Sequence, residues 1–166
     1  MEEMHLMAQK EVSFKEFLET VPPENKAFVE ELNTYLMDEG CKATFEEKKS
    51  GMLASYKYGK PPKAVLNILF RKKGMLVRIY GENANDYLDF LQTLPADMIE
   101  TIAKSGICKR IVENTCSPKC TGYDVTIGGE RYQKCRYGAF EFLITDESGS
   151  FVRAFAEHEL SARIAV

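Results

Sequence analysis

Three pairs of strand-like segments, each joined by a short turn containing glycine, constrain the fold of this chain more than any other feature. The first pair flanks Ser50-Gly51, the second flanks 71–74, and the third flanks Gly128-Gly129. Segments rich in Val, Ile, Leu and aromatic residues that are separated by so few residues are typical of β-hairpins. Because a hairpin joins strands that run in opposite directions, the sequence predicts a mostly antiparallel sheet.

Helical patterns precede, interrupt and follow these hairpins. Ser13 and Glu16 have the spacing of a capping box at the start of a first helix, and a second helix is expected to stop at Gly40. Apolar stripes predict a central helix over residues 83–106, interrupted at Pro95, and a last helix near the C-terminus. The sequence therefore predicts an α+β fold, a mostly antiparallel sheet packed against N-terminal, central and C-terminal helices.

The length and composition are those of an ordinary globular protein. The chain has 166 residues, 45% hydrophobic and 28% charged, so we predict a single domain over residues 1–166. No apolar run approaches the ~18 residues that a membrane span needs, and the first residues lack the basic start and apolar core of a secretory signal. We therefore predict a cytoplasmic protein with no membrane partner, whose five cysteines are reduced.

A cysteine-rich segment at 108–135 is the sharpest chemical feature. Four of the five cysteines lie in it, whereas Cys41 is far away in the sequence; the four are Cys108, Cys116, Cys120 and Cys135. Four thiolates are a common ligand set for structural zinc, and two of them often come from a tight turn. The turn between Cys116 and Cys120 contains Pro118, which is expected to stiffen it.

The third hairpin favours convergence of these sulfur atoms. A two-residue loop at Gly128-Gly129 sets the register so that Gly122 faces Cys135, and Cys120 is then two residues from that position. Cross-strand neighbours lie about 5 Å apart, so two sulfurs are expected close enough to share one ion. The first cysteine of the segment completes the set from the end of the preceding helix. The sequence therefore predicts zinc as a cofactor.

Two other interpretations of the cysteines stay open. In the first, the cysteines are ordinary reduced residues, some of them buried as small hydrophobic side chains. In the second, they form a thiol redox site, although no C-x-x-C motif is present to activate a thiolate. A closed four-thiolate site leaves no coordination position for water. A zinc ion in such a site is structural and does not hydrolyse a substrate.

The chain has no motif that assigns a catalytic residue. G-x-S-x-G, the P-loop, G-x-G-x-x-G and H-E-x-x-H are all absent from the sequence. Its two histidines, His5 and His158, are isolated, and His158 lies between Glu157 and Glu159, as on a solvated helix face. We therefore assign no catalytic residues and favour a protein that is not an enzyme.

A basic segment gives the second candidate site. Residues 42–78 contain ten Lys or Arg and two acidic residues, with Tyr56, Tyr58 and Arg78 among them. Basic groups beside aromatic rings bind single-stranded nucleic acid or phosphorylated ligands. A pI of about 5.6 disfavours nucleic acid, and a solvated sheet face is the simpler explanation. We predict that these three residues line a face for a small molecule or a partner protein.

Three short stretches resemble the YdhG-like domain family, a small bacterial α+β group: Phe14–Leu18, Glu46–Tyr58 and Tyr137–Phe142. The similarity follows the order of elements over most of the chain. It departs from the family where the Gly-Met-Pro signature reads Gly51-Met52-Leu53, and in the cysteine segment, which is not a family feature. Some members are described as frataxin-like intracellular iron chaperones, so the resemblance implies iron delivery as an alternative function.

Acidic residues offer a place for iron under that alternative. Glu24, Glu31 and Asp38 recur every seven residues and lie near one helix face. Carboxylates bind iron and other hard cations, although solubilising surface charge is the more common explanation of such residues. Our leading prediction is a non-enzymatic binding module with a structural zinc site made of four cysteines. The alternatives are an intracellular iron-binding or iron-delivery protein, and a module that binds single-stranded nucleic acid or a phosphorylated ligand.

Overall fold

The computed structural model describes residues 9–117 and 120–166. Helices and a mostly antiparallel sheet confirm the predicted α+β class. The chain groups into two compact units, Met1–Val77 and Arg78–Val166, and the single domain over 1–166 stays a prediction. None of the helices within the described residues has the length and apolar character that crossing a membrane requires.

The first unit is a sheet with two helices. Its strands lie in the order β1-β2-β3-β4-β5, and the first three neighbouring pairs are antiparallel. β5 continues across the boundary between the two units. The elements are β1 (Gln9–Val12), α1 (Phe14–Thr20), α2 (Pro23–Asp38), β2 (Lys42–Lys48), β3 (Gly51–Tyr58), β4 (Lys63–Arg71) and β5 (Gly74–Ile79).

Local sequence signals set the limits of the first two helices. The Ser13 hydroxyl accepts a hydrogen bond from the Glu16 backbone N–H at 3.1 Å, and the Glu16 carboxylate accepts from the Ser13 N–H at 3.4 Å. This arrangement is the capping box that the sequence predicted. α2 ends before Gly40, whose φ of +97° is a backbone conformation that glycine adopts without strain.

One face of this sheet is apolar and meets the two helices. Phe17 of α1 is fully buried against Phe45 of β2, with ring centroids 5.3 Å apart. Tyr56 of β3 is also fully buried, and its hydroxyl donates to Asn33 of α2 at 2.8 Å. Because side chains alternate along a strand, the facing residue pair Phe45 and Ala54 lies on the same covered side as Tyr56.

The second unit combines helices with a separate hairpin. Its β8 lies beside the end of β5, where the Ile79 N–H donates to the Phe140 carbonyl at 2.8 Å. A short 3₁₀ helix (Ala84–Tyr87) precedes the first α-helix of the unit. The other elements are α3 (Leu88–Leu91), α4 (Ala96–Lys104), α5 (Lys109–Val112), β6 (Tyr123–Ile127), β7 (Glu130–Lys134), β8 (Glu141–Leu143) and α6 (Ser148–Ile164).

A buried charge pair anchors α6 within this unit. Glu159 is fully buried, and its carboxylate accepts hydrogen bonds from Asn83, from the Tyr87 hydroxyl at 2.5 Å and from Arg163 at 2.8 Å. Arg163 also donates to the Tyr80 carbonyl at 2.8 Å. Since every charge is paired and hydrogen-bonded, the network meets the condition under which buried charges are tolerated.

Two short elements were not predicted. β1 contains Lys10 and Glu11 and lacks an apolar alternation, so only its pairing with β2 makes it a strand. α5 is a single turn inside the cysteine-rich segment, where the sequence predicted no helix. β1 depends on a neighbour that is distant in sequence, and a local pattern does not contain that information.

Candidate metal centre

The hairpin β6–β7 has the register that the sequence predicted. Ile127 faces Glu130 and Tyr123 faces Lys134, so Gly122 and Cys135 follow as the next positions along the two strands. Gly128 and Gly129 both have positive φ, +60° and +84°. Positive φ at both central residues is the requirement of the type I′ turn, which matches the twist of the strands it joins.

A third segment pairs with the outer side of β7. Ile107 forms an antiparallel bridge with Lys134, the Cys108 N–H donates to the Gln133 carbonyl, and the Cys135 N–H donates to the Gly106 carbonyl, both at 2.9 Å. Alternation along these segments puts Cys108 and Cys135 on the same side of the ladder. Backbone hydrogen bonds therefore hold two of the four cysteines next to each other.

Gly122 leaves the space into which Cys108 fits. A Cβ atom on Gly122 would lie 2.1 Å from the Cys108 Sγ and 2.6 Å from the Cys108 Cβ. Side-chain carbons do not approach other atoms so closely, so only glycine is compatible with this packing. Sequence reasoning used Gly122 solely as a register position and missed this role; its place two residues after Cys120 was the available signal.

The remaining two cysteines flank a turn. The Cys120 N–H donates to the Ser117 carbonyl at 3.0 Å, and Cys116 directly precedes Ser117. Pro118 and Lys119 lie outside the described residues, and so does His5, so the predicted stiffening by Pro118 stays a prediction.

The electrostatic environment of Cys120 involves all four thiols. Burial raises the pKa of the Cys120 thiol, and its hydrogen bond to Cys116 raises it further, as do negative charges on Cys116, Cys108 and Cys135. Each of the other three sulfurs is therefore near enough to act on Cys120. Such mutual repulsion between thiolates is what a bound cation relieves.

The four side chains differ in exposure, and none of them is in a disulfide. Cys108 is buried, Cys120 and Cys135 are half-buried, and Cys116 is exposed. Within residues 9–117 and 120–166, no group of three or more His, Cys, Asp or Glu side chains is already arranged to hold a metal ion. The four cysteines are thus neighbours in the fold, but their sulfur atoms are not arranged as a tetrahedron.

Two basic residues form hydrogen bonds that stabilise the segments containing the cysteines. Arg136, next to Cys135, donates to the Thr121 hydroxyl at 2.8 Å, and Thr121 follows Cys120. The Lys134 ammonium donates to the Ala103 and Ser105 carbonyls at 2.8 and 3.0 Å. These contacts tie the ends of the cysteine segment together, and sequence reasoning did not identify them.

The predicted ligand-binding residues have different surroundings. Tyr56 is fully buried and bonded to Asn33, so a ligand at the sheet surface does not reach it in this conformation. Tyr58 is half-buried. Arg78 belongs to the second unit, where it donates to Glu141 at 2.7 Å.

The acidic residues assigned to iron lie on α2. Glu24, Glu31 and Asp38 are all exposed. They do not form a ready-made metal site among the described residues. Iron binding by them stays a prediction.

Comparisons of the chain with protein-family models, with characterised proteins and with solved structures find no match. The YdhG-like resemblance therefore stays a prediction from its short motifs.

Proposed function

We propose that this protein is a non-enzymatic binding module whose second unit is stabilised by one structural zinc ion, held by Cys108, Cys116, Cys120 and Cys135. The observation that carries the proposal is that backbone hydrogen bonds hold Cys108 and Cys135 on the same side of the ladder formed with β7. Cys120 lies near this pair, since, besides burial, Cys116, Cys108 and Cys135 all raise the pKa of its thiol. Four soft ligands from a hairpin, a turn and a short paired segment are the donor set of structural zinc sites.

The local charge supports this assignment. Zn²⁺ with four thiolates carries a net charge of about −2, so the site gains from positive neighbours. Residues 104–136 contain seven basic and three acidic residues, although the whole chain has a net charge of −3. Lys134 and Arg136 flank Cys135 directly. The proposal also requires a reducing compartment such as the cytoplasm, where thiolates persist.

Metal binding is expected to tighten the cysteine segment. Sulfur ligands lie about 2.3 Å from zinc, and therefore ~3.8 Å from one another in a tetrahedron. Cys108 and Cys135 are already fixed by backbone hydrogen bonds, whereas Cys116 is exposed. We therefore expect the Cys116–Cys120 turn to close on the other pair, which couples zinc binding to local folding.

Elemental analysis of the protein purified without added metal tests the proposal. We expect about one zinc per chain, and Cys120→Ser is expected to lose most of it because three ligands bind zinc far more weakly than four. Cys41→Ala is the matched control, since Cys41 belongs to the other unit, and this variant keeps its zinc. Wild-type protein without metal, or equal zinc in all three proteins, contradicts the proposal.

Iron binding is the alternative that the same analysis separates. It predicts iron in the purified protein, or uptake of ferrous iron that disappears when Glu24, Glu31 and Asp38 are all changed to the corresponding amides. Ferrous uptake that is unchanged in this triple variant removes the alternative. The variant leaves all four cysteines intact, so its zinc content reports separately on the leading proposal.

A further inference from the structure

Tyr137 is unusual among the aromatic residues of this protein. It is 54% exposed, and it is the one Phe or Tyr side chain in the described part of the chain that is exposed and not at least half-buried. A turn presents it, since the Gly138 and Ala139 N–H groups both donate to the Cys135 carbonyl. Tyr and Arg are enriched among the residues that contribute most to binding, so an exposed tyrosine on a fixed turn beside arginines is a candidate contact for a partner.

Two guanidinium groups lie close to the Tyr137 ring. The Cζ of Arg136 lies 5.7 Å from the centroid of this ring and 5.0 Å from that of Tyr80. The Cζ of Arg78 lies 5.9 Å from the Tyr137 centroid, and the two tyrosine rings meet edge to face at 6.2 Å. We call these four residues the Arg–Tyr platform: Arg78, Tyr80, Arg136 and Tyr137.

Each guanidinium is fixed by further contacts. Arg78 donates through Nε and Nη2 to Glu141 at 3.0 and 2.7 Å. Arg136 donates to Thr121 and, at 3.4 Å, to Glu82. The platform is therefore preorganised, and its two positive charges are each balanced by a carboxylate.

This balance of charge indicates what the platform binds. A simple ion gains little from guanidinium groups that are already paired with carboxylates. A planar heteroaromatic ring suits the platform, because tyrosine rings and guanidinium planes both stack on nucleobases. The turn that presents Tyr137 follows the stretch 104–136, whose local excess of basic residues attracts a phosphate backbone.

We propose that the Arg–Tyr platform binds single-stranded nucleic acid by stacking an unpaired base on Tyr137. The platform shares Arg78 with the predicted basic face but does not include Tyr56 or Tyr58, which belong to the first unit. The proposal deepens the function above by naming the ligand of the binding module, but its contacts do not include a metal ion.

Fluorescence anisotropy with labelled oligonucleotides of about ten nucleotides tests it. Homopolymeric RNA and DNA single strands distinguish the two sources of the same bases, and a duplex of equal length is the comparison. We expect binding to single strands of at least one type that exceeds binding to the duplex, and that weakens between about 50 and 200 mM salt. Failure to bind any single strand, or equal affinity for the duplex, overturns the proposal.

Variants at Tyr137 provide the decisive comparison. Tyr137→Ala is expected to weaken single-strand binding about fivefold or more, as the loss of one stacked base does, whereas Tyr137→Phe keeps the ring and the affinity. Tyr132→Ala, at a half-buried position of β7, is the control that keeps the affinity. Wild-type affinity in Tyr137→Ala, or an equal loss of affinity in Tyr132→Ala, overturns the platform.

Zinc analysis of the same preparations separates this proposal from the previous one. A protein that holds zinc and binds no oligonucleotide refutes the platform and leaves the metal site standing. A protein that binds single strands through Tyr137 without zinc refutes the metal site and supports the platform.

Discussion

The packing of the cysteine segment depends on a single glycine, Gly122. Gly122 lies where any side chain would overlap Cys108, and a residue with a Cβ atom displaces either the hairpin or the thiol. Sequence reasoning found the four cysteines by their clustering, and it found the register from Gly128-Gly129. It did not find the packing role of Gly122, because the close approach of Gly122 to Cys108 joins segments that are adjacent only after folding.

Substitution of Gly122 by Ala tests this packing. We expect the free energy of unfolding to fall by about 2 kcal/mol, within the range for overpacked sites, and the zinc content to fall with it because Cys108 moves. Gly106→Ala is the matched control, since a Cβ atom there meets nothing within 4 Å. Urea unfolding and elemental analysis of both variants provide the measurements, and equal behaviour of the two variants contradicts the packing argument.

Among the elements, α6 depends on the ion pair between Glu159 and Arg163. The burial of this pair cannot be inferred from the sequence of the helix. Glu157 and Glu159 are near neighbours with the same side chain, yet Glu157 pairs with Arg153 in a partly exposed contact, and Glu159 is fully buried beside Arg163. Sequence reasoning treated both as residues of a solvated face. The burial of Glu159 follows from its contacts with Asn83 and Tyr87, which no pattern within the helix encodes.

Neutralising these two carboxylates separates their contributions. Glu159→Gln is expected to lower the free energy of unfolding by about 3 kcal/mol, because it leaves the buried Arg163 without its counter-charge. Glu157→Gln is expected to cost less than about 0.5 kcal/mol, as for other partly exposed helical pairs. Chemical denaturation of the two variants compares them directly. A loss for Glu159→Gln no larger than that of Glu157→Gln is the result that this account does not allow.

The hairpins illustrate why elements were easier to predict than sites. Each depends on a glycine turn and on apolar residues within about ten positions, so the sequence contains most of what is needed. The predicted ligand face, by contrast, depends on contacts between residues that are far apart in the sequence. Alternation placed Tyr56 on one side of its strand, but only the packing of α2 determines that this side is covered. The ring of Tyr137 and the guanidiniums of Arg78 and Arg136 likewise meet only in the folded chain.

At the scale of the whole molecule, buried tyrosines make the free energy of unfolding decrease as the pH rises into the alkaline range. Burial raises the pKa of Tyr56, Tyr87 and Tyr123, and for Tyr87 the adjacent Glu159 raises it further. The folded protein therefore retains these protons at a pH where the unfolded chain, with tyrosine pKa values near 10, releases them. Stability from these groups is complete below about pH 10 and decreases as the pH rises above it.

This dependence predicts a measurable slope. Above about pH 10 each of the three tyrosines is expected to lower the free energy of unfolding by about 1.4 kcal/mol per pH unit. Tyr56→Phe removes one of them, so its slope is shallower by that amount, while the two proteins run parallel below about pH 9. Urea unfolding across this range makes the comparison, and identical slopes above pH 10 show that Tyr56 does not hold its proton.

X-ray absorption at the zinc edge of the purified protein measures whether four sulfur atoms of residues 108–135 bind one zinc ion. We expect a single shell of four sulfur ligands at about 2.3 Å. A shell of nitrogen or oxygen ligands at about 2.0–2.2 Å, or no zinc to measure, contradicts it.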